Sequence, residues 1–127
     1  MRKAVVTGQN REKFREIEKT LRQHPVEIVW ASNGTEALDL VTAARDSGRT
    51  VDLLIIDELL EDMTGRTLVE QVIAVSPMTN CAAVSSLSAT AFHDAFEGFG
   101  VLMQLPGSPT EQDGQNLVSC MKKIKLL

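Results

Sequence analysis

Residues 51–65 read Val51-Asp52-Leu53-Leu54-Ile55-Ile56-Asp57-Glu58-Leu59-Leu60-Glu61-Asp62-Met63-Thr64-Gly65. The first six are nearly all apolar, and the run stops at a pair of acids. A strand that alternates apolar and polar residues covers one face of a sheet. An unbroken apolar run is a strand buried on both faces, as in a parallel sheet with helices above and below it. Strand Val51–Ile56 is therefore expected at the centre of an α/β sheet, delivering Asp57 and Glu58 at its carboxyl end.

Four more short β-type runs flank it, at Lys3–Thr7, Val26–Trp30, Cys81–Ser85 and Val101–Leu105, with helical runs between them. Apolar residues at helical spacing mark one face of each: Phe14, Ile17 and Leu21; Leu38, Val41 and Ala44; Leu68, Val72 and Val75; Phe92, Ala95, Phe96 and Phe99; Leu117, Met121 and Ile124. Gly48 is placed to end the second helix and Pro77 to stop the third. The fifth carries a start signal, with Ser108 as N-cap, Pro109 at the first helical position and Glu111 three residues after the cap. Gly114 is expected to weaken that helix locally. Regular β–α alternation predicts parallel strands joined by right-handed crossovers, with helices on both faces. Ligands and chemistry in such sheets sit at the strand carboxyl ends. Here those positions are Gly8, Gln9 and Asn10; Asp57 and Glu58; Ser85 and Ser86; Leu105 and Pro106.

A chain of 127 residues is long enough for one domain, residues 1–127, with a proper core. Its formal net charge of -4 argues against a nucleic-acid surface, which needs a clustered basic face. The run Lys122, Lys123 and Lys125 reads as cations at the last turn of a helix. No apolar run approaches the roughly 20 residues of a membrane span, and the stretch after Arg2 and Lys3 is too short for a signal peptide. Cys81 and Cys120 lack metal or redox spacing. They read as two reduced thiols of a cytoplasmic protein.

The segment from Val51 to Gly65 resembles the centre of a response-regulator receiver domain, from two-component signal transduction. In that family a buried strand ends in a phosphoacceptor Asp, followed by an apolar pair, Pro, Met, a small or acidic residue and Gly. Asp57 takes the acceptor position, Met63 and Gly65 match, and Glu61 stands where Pro is usual. Ala31-Ser32-Asn33-Gly34-Thr35-Glu36-Ala37-Leu38 resembles the family's second-strand exit and second helix. Leu105-Pro106 aligns with its Lys-Pro pair, and Gly98 falls seven residues before Leu105, as in the family. The resemblance implies a flavodoxin-like, doubly wound sheet of five parallel strands in the order 2-1-3-4-5, with two helices on one face and three on the other.

The family's site holds Mg²⁺ with an acidic pair after strand one, the acceptor Asp and a backbone carbonyl two residues beyond it. A hydroxyl after strand four and the Lys after strand five hold the phosphoryl oxygens. In this chain the acidic pair falls on Gly8 and Gln9, and the Lys on Leu105. The hydroxyl falls on Ser85, and the carbonyl on Leu59. The aromatic residue that couples to the hydroxyl falls on Leu102. Mg²⁺ wants carboxylates, so its binding through Asp57 and the Leu59 carbonyl is expected to be weak or absent. No other cofactor is expected. Losing both acids and the Lys together is self-consistent, because a buried Lys without its carboxylates would be costly while Leu is not. The alternative keeps Asp57 as a working phosphoacceptor, with Glu58, Glu61 or Asp62 as substitute metal ligands.

Other candidates are weaker. Thr7-Gly8-Gln9-Asn10 lacks the Lys-Ser/Thr of a P-loop; Gly8 reads as a tight-turn residue and Asn10 as a helix cap. A flavodoxin-like small-ligand module remains an alternative by fold analogy alone. His24 and His93 have no spaced partners for a metal or a nucleophile, and nothing indicates an independent enzyme. Trp30 reads equally as core or as solvent-facing. The expected function is protein contact without phosphorylation, with a histidine kinase, another regulator or an output module as partner. The resemblance places that contact on the face of Thr90–Phe99, Val101–Leu105 and Glu111–Ile124, where Met103 offers soft apolar surface.

Overall fold

The computed structural model describes all residues, Met1–Leu127. Five parallel strands form one sheet: β1 (Arg2–Thr7), β2 (Val26–Ala31), β3 (Leu53–Asp57), β4 (Asn80–Val84) and β5 (Met103–Leu105). Their order is β2-β1-β3-β4-β5, as expected. Every residue of β3 is buried, which is the physical meaning of its unbroken apolar run.

The helices are α1 (Arg15–Leu21), preceded by a 3₁₀ turn at Arg11–Phe14, α2 (Gly34–Asp46), α3 (Gly65–Val75), α4 (Ala89–Phe96) and α5 (Glu111–Lys123). Two apolar clusters divide them. One packs α1 and α5 on the sheet through Phe14, Ile17, Leu21, Leu117 and Met121. The other packs α2, α3 and α4 through Val41, Leu68, Val72, Phe92 and Phe96. Cys81 lies in the second cluster, and burial pushes its thiol up to about 12. No helix is long and apolar enough to cross a membrane.

Two local expectations need correction, and a third gains a packing reason. The fifth helix starts two residues later than its first cap signal. Thr110, not Ser108, is the N-cap, in a reciprocal capping box with Asp113. A box with both hydrogen bonds made, Thr110 N to Asp113 Oδ2 at 2.7 Å and Asp113 N to Thr110 Oγ1 at 3.4 Å, outcompetes a cap signal of the same pattern upstream. Strand five is three residues long, because Gly98 and Gly100 turn the chain at positive φ just before Val101. Gly114 has a packing reason: a Cβ there would stand 2.6 Å from Thr20 Oγ1, so its absence lets α5 approach α1 closely.

Gly65 has a similar role beside the site. A Cβ at this position would meet the backbone oxygen of Asp57 at 2.4 Å. Glycine thus lets α3 begin directly against the exit of β3, and the Thr64 side chain caps it by accepting from Thr67 N.

Candidate functional site

The sheet register gathers the expected positions at the strand carboxyl ends. Thr7 pairs with Ile56, Asp57 with Val84, and Val84 with Leu105. Gly8, Asp57, Ser85 and Leu105 are thereby brought together, as the sequence pattern implied. Gln9 follows Gly8 but is exposed. Leu102 lies just before β5 and packs on the α1–α5 side.

Asp57 is mostly buried, with its side chain 11% exposed. Both carboxylate oxygens accept from one ammonium, Lys13 Nζ, at 3.1 and 2.9 Å. Oδ1 also accepts from Glu58 N at 2.8 Å. Lys13 belongs to the 3₁₀ turn, whose start Asn10 caps by accepting from Glu12 N at 3.2 Å. The next residue, Phe14, is fully buried, and its ring fills the space over Gly8. A Cβ on Gly8 would lie 2.7 Å from that ring and 3.5 Å from the Asp57 Cβ. Gly8 is therefore needed for space, not for a left-handed turn: only Gly48, Gly98 and Gly100 among the glycines have positive φ. Trp30 is half-buried, tilted on Phe14 at 5.9 Å and covered by the Arg11 guanidinium at 5.7 Å.

On the other side of Asp57, Glu58 forms a second polar centre. Its carboxylate accepts from Ser85 Oγ at 2.7 Å, Ser86 Oγ at 3.0 Å and Ser86 N at 3.4 Å. The Ser85 hydroxyl chiefly, with help from Ser86 and Lys13, holds Glu58 below its ordinary value near 4.5, against the opposing effect of burial. From β5, the Gln104 amide donates to the carbonyls of Ser85 at 3.3 Å and Leu87 at 2.8 Å. The loop between β4 and α4 is thus held by side chains from the strands on both sides. Leu105 is buried in the α1–α5 cluster.

No protein-family model matches the chain, and no curated protein matches it. Solved structures do. The response regulator receiver domain protein (CheY-like) from Methanospirillum hungatei aligns over 100% of this chain and 99% of its own, with TM-score 0.79 and 14% identity. A two-component response regulator from Clostridium difficile covers 98% of each chain, with TM-score 0.78 and 14% identity. The chemotaxis protein CheY4 of Vibrio cholerae covers 94% of this chain and 97% of its own, with TM-score 0.77 and 19% identity. The chain has the response-regulator receiver fold.

The fold implies a Mg²⁺ ion at Asp57, and the donors here do not fit one. Gly8 offers no ligand, and the Phe14 ring stands where a side chain would begin. Of the three acids that follow Asp57, two are committed to other partners. Glu58 is turned to Ser85 and Ser86. Asp62 caps α2, accepting from Gly34 N at 2.8 Å, Thr35 N at 3.0 Å and Thr35 Oγ1 at 2.7 Å. These bonds, the Thr35 hydroxyl first, hold it ionised below its ordinary value. Glu61 is exposed. No three His, Cys, Asp or Glu side chains come together as a metal-binding group. The Lys13 ammonium instead neutralises Asp57 directly.

Lys13 escaped the sequence reading, as did the attachment of Ser85 to Glu58. A signal for Lys13 existed in electrostatic form. A buried Asp57 stripped of metal ligands and of the Lys after strand five still needs a cation, and Lys13 is the first lysine after strand one. His24 and His93 stay outside the site, the first half-buried and the second exposed.

Two predictions follow from this geometry. Lys13→Met leaves a buried carboxylate unpaired, so it should destabilise the fold more than Lys13→Met with Asp57→Asn does. A double-mutant cycle by urea denaturation should give a coupling of about 1–2 kcal/mol, between the values of exposed and buried pairs; strict additivity would contradict the pairing. Glu58, with its lowered pKa, contributes stability that is complete above its unfolded value near 4.5 and is lost as pH falls through the folded value. Glu58→Gln should therefore be less stable than the parent at neutral pH, with the gap narrowing in acid. A gap independent of pH would refute the role given to its charge.

Proposed function

We propose that this chain is a two-component signalling module that acts by protein contact, with no phosphoryl transfer to Asp57. The observation that carries the reading is the Lys13 ammonium on both oxygens of Asp57. Phosphoryl transfer to a carboxylate needs a free oxygen as nucleophile and cations on the transferring group. Here the carboxylate is engaged, Leu105 supplies no cation, and the Ser85 hydroxyl donates to Glu58. The partner is of the kind receiver folds serve: a histidine kinase, another regulator or an output module.

Incubation with Mg²⁺ and a small phosphodonor such as acetyl phosphate, followed by intact-mass measurement, tests this. No phosphorylated species is expected. An added phosphoryl group that disappears in Asp57→Asn would instead establish a working phosphoacceptor.

A further inference from the structure

On the face expected for partner contact, Ile124 is 43% exposed. Met103 is half-buried against the α1–α5 cluster. Two other exposed apolar side chains, Leu59 and Leu87, lie beside α4 of the same face. A depression of about 260 Å³ lies between the β3–α3 loop and α4, lined by Leu59, Thr64, Arg66, Leu87, Ala95 and Phe96, together with Glu58. Leu59 is 63% exposed and Leu87 42%, two of the five large apolar side chains that the fold leaves in solvent.

Charge is sorted around this depression. The bounding segments, 57–75 and 85–99, carry seven carboxylates and one arginine; the rest of the chain carries ten carboxylates and twelve lysines and arginines. Three of the seven are engaged within the fold: Asp57 with Lys13, Glu58 with the two serines, and Asp62 with the start of α2. Glu61, Glu70, Asp94 and Glu97 are exposed and make no ion pair. Arg66 lies over the Phe99 ring, 5.5 Å from its centroid, and pairs with none of them. The depression is thus largely apolar in its lining, and the two segments that bound it carry a net negative charge. The same charge would repel a like face of a second copy.

We propose that this depression is the docking site for a partner's protein segment that carries a large aliphatic side chain flanked by lysine or arginine. The aliphatic group covers Leu59, Leu87 and Phe96, and the cations meet the exposed carboxylates. The proposal rests on the contact-based reading above and names the surface and chemistry of that contact. Leu59 and Glu58 directly follow Asp57, so a partner seated here touches the same β3 exit that Lys13 neutralises.

The test uses the ¹⁵N-labelled full chain and an acetylated, amidated helical peptide with leucines on one stripe and lysines beside it. Its counterpart has glutamate for every lysine. Saturable amide shifts are expected at Leu59, Thr64, Arg66, Leu87, Ala95 and Phe96 with the lysine peptide, weakening as salt rises, and none with the glutamate peptide. Leu59→Ser with Leu87→Ser should weaken binding at least about tenfold. Leu87→Ser alone gives a milder version should the double variant lose its dispersed spectrum. The proposal is overturned if the shifts centre on another face, if both peptides bind alike, or if the serine variants bind unchanged. It is equally overturned if sedimentation shows a dimer of the chain that the serine variants dissociate, since the occupant would then be a second copy. Phosphodonor labelling at Asp57 would defeat the contact-only function without altering these shifts, so the two failures are distinguishable.

Discussion

The candidate site depends on one ion pair. Asp57 closes the most buried strand of the sheet, and its charge must be met in place. A buried carboxylate without a partner costs several kcal/mol. Lys13 meets it through both oxygens. Much of the surrounding arrangement is understandable from that choice of cation. With Lys13 on the β1–α1 side, a second lysine at position 105 would add charge without a partner. Leu105 instead extends the α1–α5 core to the end of β5. The exit of β1 needs no carboxylates, and the Phe14 ring takes their volume.

The polar residues that remain hold loops. Glu58 binds Ser85 and Ser86, Gln104 reaches over the same loop from β5, and Asp62 ties the β3–α3 loop to α2. Each of these acids is matched by hydrogen-bond donors within the chain, so ionisation and local order support one another. A carboxylate committed in this way is a poor candidate for recruitment as a metal ligand. Reinstating an acid at position 8 would not by itself recreate a metal site, because the Phe14 ring has to move first. The obstacle is one of packing as well as of missing charge.

The fold was legible because its signals are periodic and redundant. The apolar run through Ile56, the β–α alternation and the helical stripes all pointed to one doubly wound sheet, and the strand order followed from the resemblance. The gathering of Gly8, Asp57, Ser85 and Leu105 was legible for the same reason, since strand ends in a parallel sheet meet by register. What was not legible depended on side-chain direction. Nothing in the spacing of Lys13 tells that its ammonium reaches across to β3. Nor does the pattern tell that Ser85 turns to Glu58 rather than to Asp57. The helix-five cap was misplaced because two cap signals stood two residues apart, and only the hydrogen bonds of Thr110 and Asp113 decide between them.

Trp30 offers a direct reading of the central pair. Its ring leans on Phe14, which in turn sits over Gly8 and close to Asp57. A metal ion drawn to Asp57 would displace Lys13, shift the 3₁₀ turn and change that indole's surroundings. The decisive measurement is a Mg²⁺ titration into the millimolar range, followed by Trp30 emission and melting temperature. With Lys13 as the resident cation, neither should change; a saturable stabilisation that Asp57→Asn abolishes would show that the metal, not Lys13, is the partner of Asp57.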